Sequence, residues 1–359
     1  MQTLQLVRDM QSHRFQYTNT YLKESVNAEL LIENIAAGVC GTDLEIANAS
    51  RSDIANILGH EGIGLIVKNF NKGNGFNVGD VVVYNPVSIL DQDRILGHSI
   101  DGIFCKKRMI STEDLKHGHI LKISGEYQSW YACLLEPLAV AIFSEQIILK
   151  HCKPQTILIL GTGAIAHVIA AYYLRKNASV FMAGTNKHRI TLLNENNKFG
   201  IQYYEFDRLS LFMNDFDAIF SCATRAKAAQ YFDYAKKMAN SNTVINLVNG
   251  FNNEVFVNVE EQESLSVNQI RRNNFSGATS KIYEVNDNGK NYFLTGQRGS
   301  NQQHFQQALR ELTIFPEHYQ KLVARSIEFS ELADLINGEA QLELSHFGKI
   351  LVKIKDDIL

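Results

Sequence analysis

The feature that most constrains the fold of this chain is a glycine-rich turn between a strand pattern and a helix pattern. The apolar run TILIL at 156–160 leads into GTGAIA at 161–166, which has the spacing GxGxxA. In a parallel α/β unit the first glycine permits the tight turn, and the second lets the backbone approach a pyrophosphate at the helix N-terminus. This context favours a dinucleotide site over a purely structural turn. The predicted contacts are Gly161, Thr162, Gly163, Ala164 and Ile165.

The end of the next strand predicts which dinucleotide is bound. The pattern SVFMAG is followed by TNKHR, so no carboxylate stands where an acidic residue would contact the ribose 2′-hydroxyl of NAD. A hydroxyl, an amide and basic side chains could instead hold a 2′-phosphate, which favours NADP over NAD. The alternative is a solvated helix start without a ligand. The predicted contacts are Gly184, Thr185, Asn186, Lys187 and Arg189.

Strand and helix patterns continue to alternate after this unit, with further strands at DAIFSCA and TVINLVN. Such alternation predicts a parallel sheet with right-handed crossovers. Upstream, β-branched runs such as EGIGLIVKNF are separated by glycine turns, which indicates a small all-β unit. A length of 359 residues accommodates two domains. The composition shift near residue 145 predicts the boundary between them.

A second stretch, 40–61, carries the residue types that bind metal ions. It opens with Cys40, Thr42 and Asp43 and closes with His60 and Glu61. A thiolate, an imidazole and carboxylates are ligands that Zn²⁺ accepts, and three of them with an open fourth position make a catalytic site. A buried inert cysteine and a core histidine would give the same pattern.

Charge and cysteine usage narrow the function classes. The formal net charge is −3 without a dense Lys/Arg run, so we expect neither a nucleic-acid nor a membrane partner. The five cysteines are widely spaced without CxxC, which indicates free thiols in a reducing compartment. The apolar run at 156–174 contains two glycines and is better explained by strand, turn and helix than by a membrane span. The first residues lack a leader pattern, so we expect a cytoplasmic protein.

The order of the motifs resembles that of the zinc-containing medium-chain dehydrogenase/reductase family. The resemblance implies an α/β chain with a GroES-like β catalytic domain and a Rossmann domain built on a doubly wound parallel sheet. The implied domains are 1–144, 145–295 and a C-terminal return to the catalytic domain at 296–359. The motifs that carry the resemblance are CGTD at 40–43, GHE at 59–61, GD at 79–80, EPLAVA at 136–141 and GxGxxA at 161–166.

The resemblance also implies roles for individual residues. Thr42 would relay the proton of the substrate hydroxyl, and Asp43 would orient the ligating histidine. A zinc ion would act as a Lewis acid on that hydroxyl. The implied zinc ligands are Cys40, His60, Glu61 and Glu136, of which Glu61 could instead hydrogen-bond a water molecule.

Two further matches suggest the substrate class. CGTDLEI and the helix start HFQQA resemble archaeal-type glucose dehydrogenases, and polyol dehydrogenases are a related branch. We therefore expect a secondary alcohol, polyol or aldose substrate. Asn85, at a strand end, and His98, in a polar loop, are candidate substrate contacts. The interval between Asp80 and Gly102 contains no cysteine, so we expect one catalytic zinc and no structural zinc.

Two other readings fit parts of the pattern. A zinc-free NADPH-dependent quinone or enoyl reductase on the same fold needs no ligand set. A non-catalytic nucleotide-binding protein would keep only the glycine turn. The Cys40, His60 and Glu136 set argues against both. A homo-oligomer, dimer or tetramer, is expected for the dehydrogenase.

Overall fold

The computed structural model describes residues 1–123, 129–209, 215–259, 262–287, 289–339 and 348–355. The first strands are β1 Gln2–Arg8, β2 Phe15–Tyr21, β3 Ala28–Val39, β4 Glu61–Asn69, β5 Val81–Tyr84, β6 Lys107–Ser111 and β7 Ile120–Ile123. The next are β8 Thr156–Leu160, β9 Ser179–Gly184, β10 Gln202–Glu205, β11 Ala218–Ser221, β12 Val244–Leu247 and β13 Phe256–Val259. The last are β14 Gln262–Ser266, β15 Tyr283–Asp287, β16 Lys290–Gly296, β17 Val323–Glu328 and β18 Lys349–Lys353.

The helices lie mostly in the second half of the chain. They are α1 Gly41–Ala47, α2 Thr112–Lys116, α3 Leu135–Ile148, α4 Ala164–Arg175, α5 Lys187–Glu195 and α6 Phe206–Leu209, then α7 Ala228–Met238, α8 Val267–Arg272, α9 Gln302–Ile314, α10 Pro316–Gln320 and α11 Leu332–Ile336. Short 3-10 helices cover Trp130–Leu134, Arg225–Lys227 and Phe329–Glu331.

The chain divides into two compact units. The first contains Met1–Ala139, Gly299–Glu343 and Lys349–Leu359, and the second contains Val140–Arg298 and Leu344–Gly348. The domain boundaries expected from the sequence, at 144/145 and 295/296, stay a prediction.

The first unit is built on a mostly antiparallel sheet. Its strand order is β17-β18-β3-β4-β5-β7, with β6 also paired to β3 and a separate β1–β2 hairpin. The long strand β3 is buried along almost its whole length, because strands pair along it and apolar side chains cover both of its faces. The pairing of β3 with β4 is antiparallel and brings Gly38 opposite Glu61. That pairing places the end of β3 beside the start of β4.

The second unit contains the predicted parallel sheet. Its order is β10-β9-β8-β11-β12-β16, all paired in parallel, followed by the antiparallel strands β15, β13 and β14. This is the 3-2-1-4-5-6 order of a doubly wound sheet, in which ligands bind at the carboxyl ends of the strands. The α/β prediction is confirmed. The antiparallel extension was not anticipated.

One apolar stretch in the described residues is long enough to cross a bilayer by length and composition. It covers Tyr131–Ile148, which includes α3, and 78% of it is buried within the protein. Pro137 lies in the first turn of α3, where a missing N–H does not interrupt the helix. The burial is that of a core helix.

Candidate metal centre and dinucleotide site

Three potential metal ligands converge in the first unit. The ligand atoms of Cys40, His60 and Glu61 all lie within 4.8 Å of one another. Cys40 directly follows β3, while His60 and Glu61 stand at the start of β4. Because β3 and β4 pair antiparallel, the end of one and the start of the other must lie side by side. The local sequence and the sheet register together assemble the group.

Asp43 links the two halves of this group. Its Oδ2 accepts a hydrogen bond of 2.8 Å from the Cys40 N–H, and its Oδ1 accepts one of 3.0 Å from the Gly59 N–H. The same Oδ1 lies 3.6 Å from His60 Nδ1, which is too long for a hydrogen bond but close enough to attract it. Burial raises the pKa of Asp43, and the nearby His60 opposes that shift. Asp43 therefore stands where the sequence placed an orienting carboxylate.

Glu61 is paired with a cation that sequence reasoning missed. Lys349 Nζ forms an ion pair with Glu61 Oε2 and lies 3.3 Å from the Val39 carbonyl oxygen. Burial disfavours the ammonium, yet the charges of Glu61 and Cys40 raise the pKa of Lys349 above its ordinary value. Gly38 makes room for the pair, since a Cβ there would lie 2.7 Å from Glu61 Oε2. The sequence signal for this pair is a lysine that begins the apolar strand pattern KILVK, where a buried cation needs an acidic partner.

This environment raises the pKa values of the Cys40 thiol and of the Glu136 carboxyl. Burial, with the Glu61 charge second, raises the pKa of the Cys40 thiol to about 12. Desolvation of its carboxyl and the charge of Glu61 raise the pKa of Glu136 to about 7, although the residue as a whole is half-buried. Glu136 lies in the first turn of α3 and outside the three-residue group. A bound cation would favour the charged forms of these groups.

Thr42 and His98 lie beside the group. Thr42 Oγ1 is buried, and its side-chain hydrogen bond to the Cys40 thiol slightly opposes the rise in the pKa of that thiol. The His98 ring centroid is 5.0 Å from that of His60. His98 Nδ1 lies 3.1 Å from both Asp53 Oδ1 and Arg51 Nη2, two residues that sequence reasoning missed. Burial lowers the pKa of His98 to about 4, so the ring is neutral near pH 7.

Asn85 has a different setting from the one expected of a substrate contact. Its side chain is fully buried, and Nδ2 donates a hydrogen bond of 3.2 Å to the Gly118 carbonyl oxygen. The main-chain carbonyl oxygen of Asn85 lies 2.9 Å from His119 Nδ1. These contacts tie Asn85 to the loop before β7. Its role at the substrate stays a prediction.

The side chains of Ser88, His117 and Glu113 in this unit are hydrogen-bonded in the order of a hydrolytic triad. His117 Nδ1 lies 2.6 Å from Ser88 Oγ, and His117 Nε2 lies 2.6 Å from Glu113 Oε1. The Ser88 side chain is fully buried, however, and its Oγ also accepts backbone N–H groups from Leu90 and Asp91. A nucleophile must be reachable by its substrate. These three side chains therefore hold the 88–94 loop in place and do not form a catalytic triad.

The glycine turn of the second unit has the geometry of a pyrophosphate cradle. Gly161 has φ +129°, and a Cβ there would lie 2.4 Å from the Cys222 carbonyl oxygen. Gly163 begins α4 as its N-cap, and a Cβ built on it meets no atom within 4 Å. The first glycine is therefore required by the turn itself. The second leaves open space at a helix N-terminus, where an anion is stabilised.

The basic residues after β9 are already engaged with the protein. Asn186 caps α5 by accepting the Arg189 N–H at 3.0 Å, and Arg189 Nη2 donates to the Thr162 carbonyl oxygen at 2.7 Å. Lys187 Nζ lies 3.1 Å from Glu205 Oε2. Glu205 stands at the end of β10, so the fold supplies a carboxylate that the sequence after β9 lacks. Thr185 and Asn186 are exposed at this edge.

The residues present fit the two groups that the sequence predicted. The thiol, imidazole and carboxylate donors have the chemistry of a zinc site. His60 Nδ1, which has no hydrogen-bond partner in the described part of the chain, faces Asp43. The open position at Gly163 fits a dinucleotide pyrophosphate.

Part of the chain matches a known protein family and curated relatives. Residues 26–119 match the family described as alcohol dehydrogenase GroES-like domain. Glucose 1-dehydrogenase 2 of Vulcanisaeta moutnovskia (strain 768-28) is 29% identical over 167 residues, which cover 41% of this chain and 47% of that protein. This chain thus aligns with about half the length of the curated relatives it matches.

Solved structures extend the likeness over the whole chain. Haloferax mediterranei glucose dehydrogenase, in complex with NADP, Zn and gluconolactone, has a TM-score of 0.71 at 16% identity, covering 99% of this chain and 100% of that one. Galactitol-1-phosphate dehydrogenase from Escherichia coli has a TM-score of 0.70 at 16% identity, covering 98% and 100%. At these identities the likeness establishes the fold.

Proposed function

We propose that this chain, which belongs to the zinc-type medium-chain dehydrogenase/reductase family, is a zinc-dependent oxidoreductase that uses NADP. The hydride would be exchanged with the hydroxyl carbon of a secondary alcohol, polyol or aldose. The observation that carries the proposal is the group of Cys40, His60 and Glu61, whose ligand atoms lie within 4.8 Å of one another in this fold.

Cys40, His60 and Glu61 would hold the metal, and Glu136 is the further carboxylate within reach of their charges. Bound zinc would supply Lewis-acid polarisation of the substrate hydroxyl. Asp43 would fix the His60 ring through Nδ1, which directs Nε2 to the ligand position. Lys349 would hold one Glu61 oxygen, so that this carboxylate stays in place when its neighbours change charge.

Thr42 is the candidate proton carrier. Its Oγ1 is buried beside the ligand group, within side-chain hydrogen-bonding reach of the Cys40 thiol. A hydroxyl can accept the substrate proton while it donates its own to a further acceptor. We expect Thr42→Ser to keep most turnover and Thr42→Ala to lower kcat by about 10²-fold or more. Zinc content should be the same in both variants.

Sugar and polyol substrates are favoured by the relatives. Curated relatives include glucose 1-dehydrogenases and L-threonine 3-dehydrogenases, and one similar structure is a galactitol-1-phosphate dehydrogenase. Another similar structure contains NADP, zinc and a sugar lactone. The screen should therefore begin with aldoses and polyols, each with NADP and with NAD. A dimeric or tetrameric state and a cytoplasmic location stay predictions.

The test compares metal content, cofactor binding and turnover in one preparation. Cys40→Ser should remove zinc and nearly all turnover while NADP affinity stays within about twofold, because a ligand is lost and the glycine turn is untouched. Cys152→Ser is the matched control, since that half-buried thiol lies outside the ligand group. Full turnover by a zinc-free Cys40→Ser protein would refute the mechanism. Wild-type protein that binds NADPH but no zinc would instead indicate the reductase.

A further inference from the structure

Glu205 lies where a second strand reaches the cofactor edge of the sheet. The parallel pairing of β9 and β10 places Glu205 opposite Gly184, the last residue of β9. Its carboxylate oxygen Oε2 is 3.1 Å from Lys187 Nζ. Ligands of an open α/β sheet bind beyond the carboxyl ends of its strands, which is where both residues stand. The carboxylate is therefore close to the cation expected to hold a 2′-phosphate.

The exposure of the two side chains differs. The Lys187 side chain is 73% exposed, whereas that of Glu205 is 23% exposed. The ammonium group is thus reachable by a ligand, while the carboxylate stays against the protein. An ion pair with one partner this exposed contributes little to stability, so an incoming phosphate can displace Glu205 from Lys187 at small cost. The displaced carboxylate would remain nearby as a repelling charge.

We propose that Glu205 is a cofactor-specificity residue that competes with the 2′-phosphate of NADP for Lys187. The inference rests on the proposed dinucleotide binding and needs nothing from the metal centre. With NAD, Lys187 stays paired with Glu205, because the ribose carries only a hydroxyl. With NADP, Lys187 turns to the phosphate and leaves the Glu205 carboxylate unpaired. The pair thus lowers the preference for NADP and keeps NAD as a usable second cofactor.

Isothermal titration of NADP⁺ and NAD⁺ tests this arrangement. Glu205→Gln keeps the shape and removes the charge, so NADP⁺ affinity should rise by about threefold to tenfold while NAD⁺ affinity stays within about twofold. Lys187→Gln should weaken NADP⁺ selectively, and adding Glu205→Gln to it should recover part of that loss. The gain in Glu205→Gln should shrink at about 0.5 M salt, because the charges involved are screened.

Asp233→Asn provides a matched control. Asp233 also lies 3.1 Å from a lysine ammonium, Lys236 Nζ, and it is on α7 instead of beside Gly184. It should change neither dissociation constant, and melting temperatures should show that every variant is folded. An NADP⁺-to-NAD⁺ ratio that is unchanged in Glu205→Gln would overturn the proposal. So would a selective loss of NAD⁺, because Glu205 would then contact the 2′-hydroxyl directly.

These titrations need neither substrate nor zinc. A protein that lacks dehydrogenase activity but binds both dinucleotides still tests Glu205, and failure of the metal mechanism is therefore distinguishable from failure of this inference.

Discussion

The ammonium group of Lys349 and the carboxylate of Glu61 form an ion pair whose side chains are only 3% and 2% exposed. The pair is made by strands β18 and β4, which stand on either side of β3 in the sheet. Cys40 and Glu136 both respond to the charge of Glu61. The buried cation therefore offsets negative charge that would otherwise gather at the ligand group.

Replacing Lys349 by Met should destabilise the metal-free protein strongly. The Glu61 carboxylate would stay buried without its partner, and breaking a buried pair in this way costs about 3–5 kcal/mol. Urea unfolding in the presence of a chelator measures the loss, and Lys349→Met combined with Glu61→Gln should recover much of it. Lys353→Met on the same strand is the control, because its pair with Glu328 is exposed. A loss no larger than that of the control would show that the buried pair is unimportant.

Asp43→Asn should weaken zinc binding without removing a ligand. The amide keeps the size of the side chain but loses the charge that faces His60 Nδ1 at 3.6 Å. Loss of such an orienting group typically lowers metal affinity by about tenfold to 100-fold. Competition with a chromophoric chelator gives the affinity directly, independently of turnover. Asp80→Asn, at a turn where Asp80 pairs with the half-exposed Lys122, should leave it unchanged because it lies outside the ligand group, and equal affinities in the two variants would remove Asp43 from the site.

The elements predicted from sequence are those specified by local pattern. TILIL and AIAHVIAAYYLRKN became β8 and α4, because the apolar period and the glycine turn between them act over a few residues. Cys40, His60 and Glu61 can be predicted as one group because they lie in two short motifs, one directly after β3 and one at the start of β4. A motif of this kind is readable before any tertiary contact is known.

What was missed depends on pairing between distant parts of the chain. Lys349 reaches Glu61 only because β18 joins the sheet beside β3. Glu205 meets Lys187 because β10 is placed beside β9. Strand order of this kind is decided by packing of whole faces, which no local pattern encodes.

The two glycines of the dinucleotide turn should respond differently to a methyl group. Gly161→Ala puts a Cβ 2.4 Å from the Cys222 carbonyl oxygen at φ +129°, so we expect a loss of about 1–3 kcal/mol in stability. Gly163→Ala has φ −82° and no atom within 4 Å of the new Cβ, so the fold should tolerate it. Its methyl would enter the pyrophosphate space and weaken NADP⁺ binding by about tenfold. Thermal melting and NADP⁺ titration separate the two effects, and unchanged binding in Gly163→Ala would place the pyrophosphate elsewhere.

Acid should destabilise the second unit through His167. This buried imidazole lies on α4, where its Nδ1–H donates to the Gly163 carbonyl oxygen at 2.9 Å and Tyr203 Oη lies 3.3 Å from its Nε2. Burial lowers the pKa of His167 from 6.5 to about 4. Between those values the unfolded chain binds more protons than the folded one, so stability falls as the pH drops from 6.5 to 4 and is unaffected above that window.

The contribution of His167 to this acid loss should reach about 3 kcal/mol at its lower end. Urea unfolding at several pH values from 4.5 to 7.5, each about one unit apart, gives the slope of stability against pH. His167→Leu should remove the share of that slope due to His167, while His98 and His304, whose pKa burial also lowers to about 4, keep theirs. Tyr203→Phe removes only the hydroxyl near Nε2 and should keep the slope while it lowers stability at every pH. If His167→Leu retains the full wild-type slope, the proton is taken up elsewhere and the buried neutral imidazole does not control the acid response.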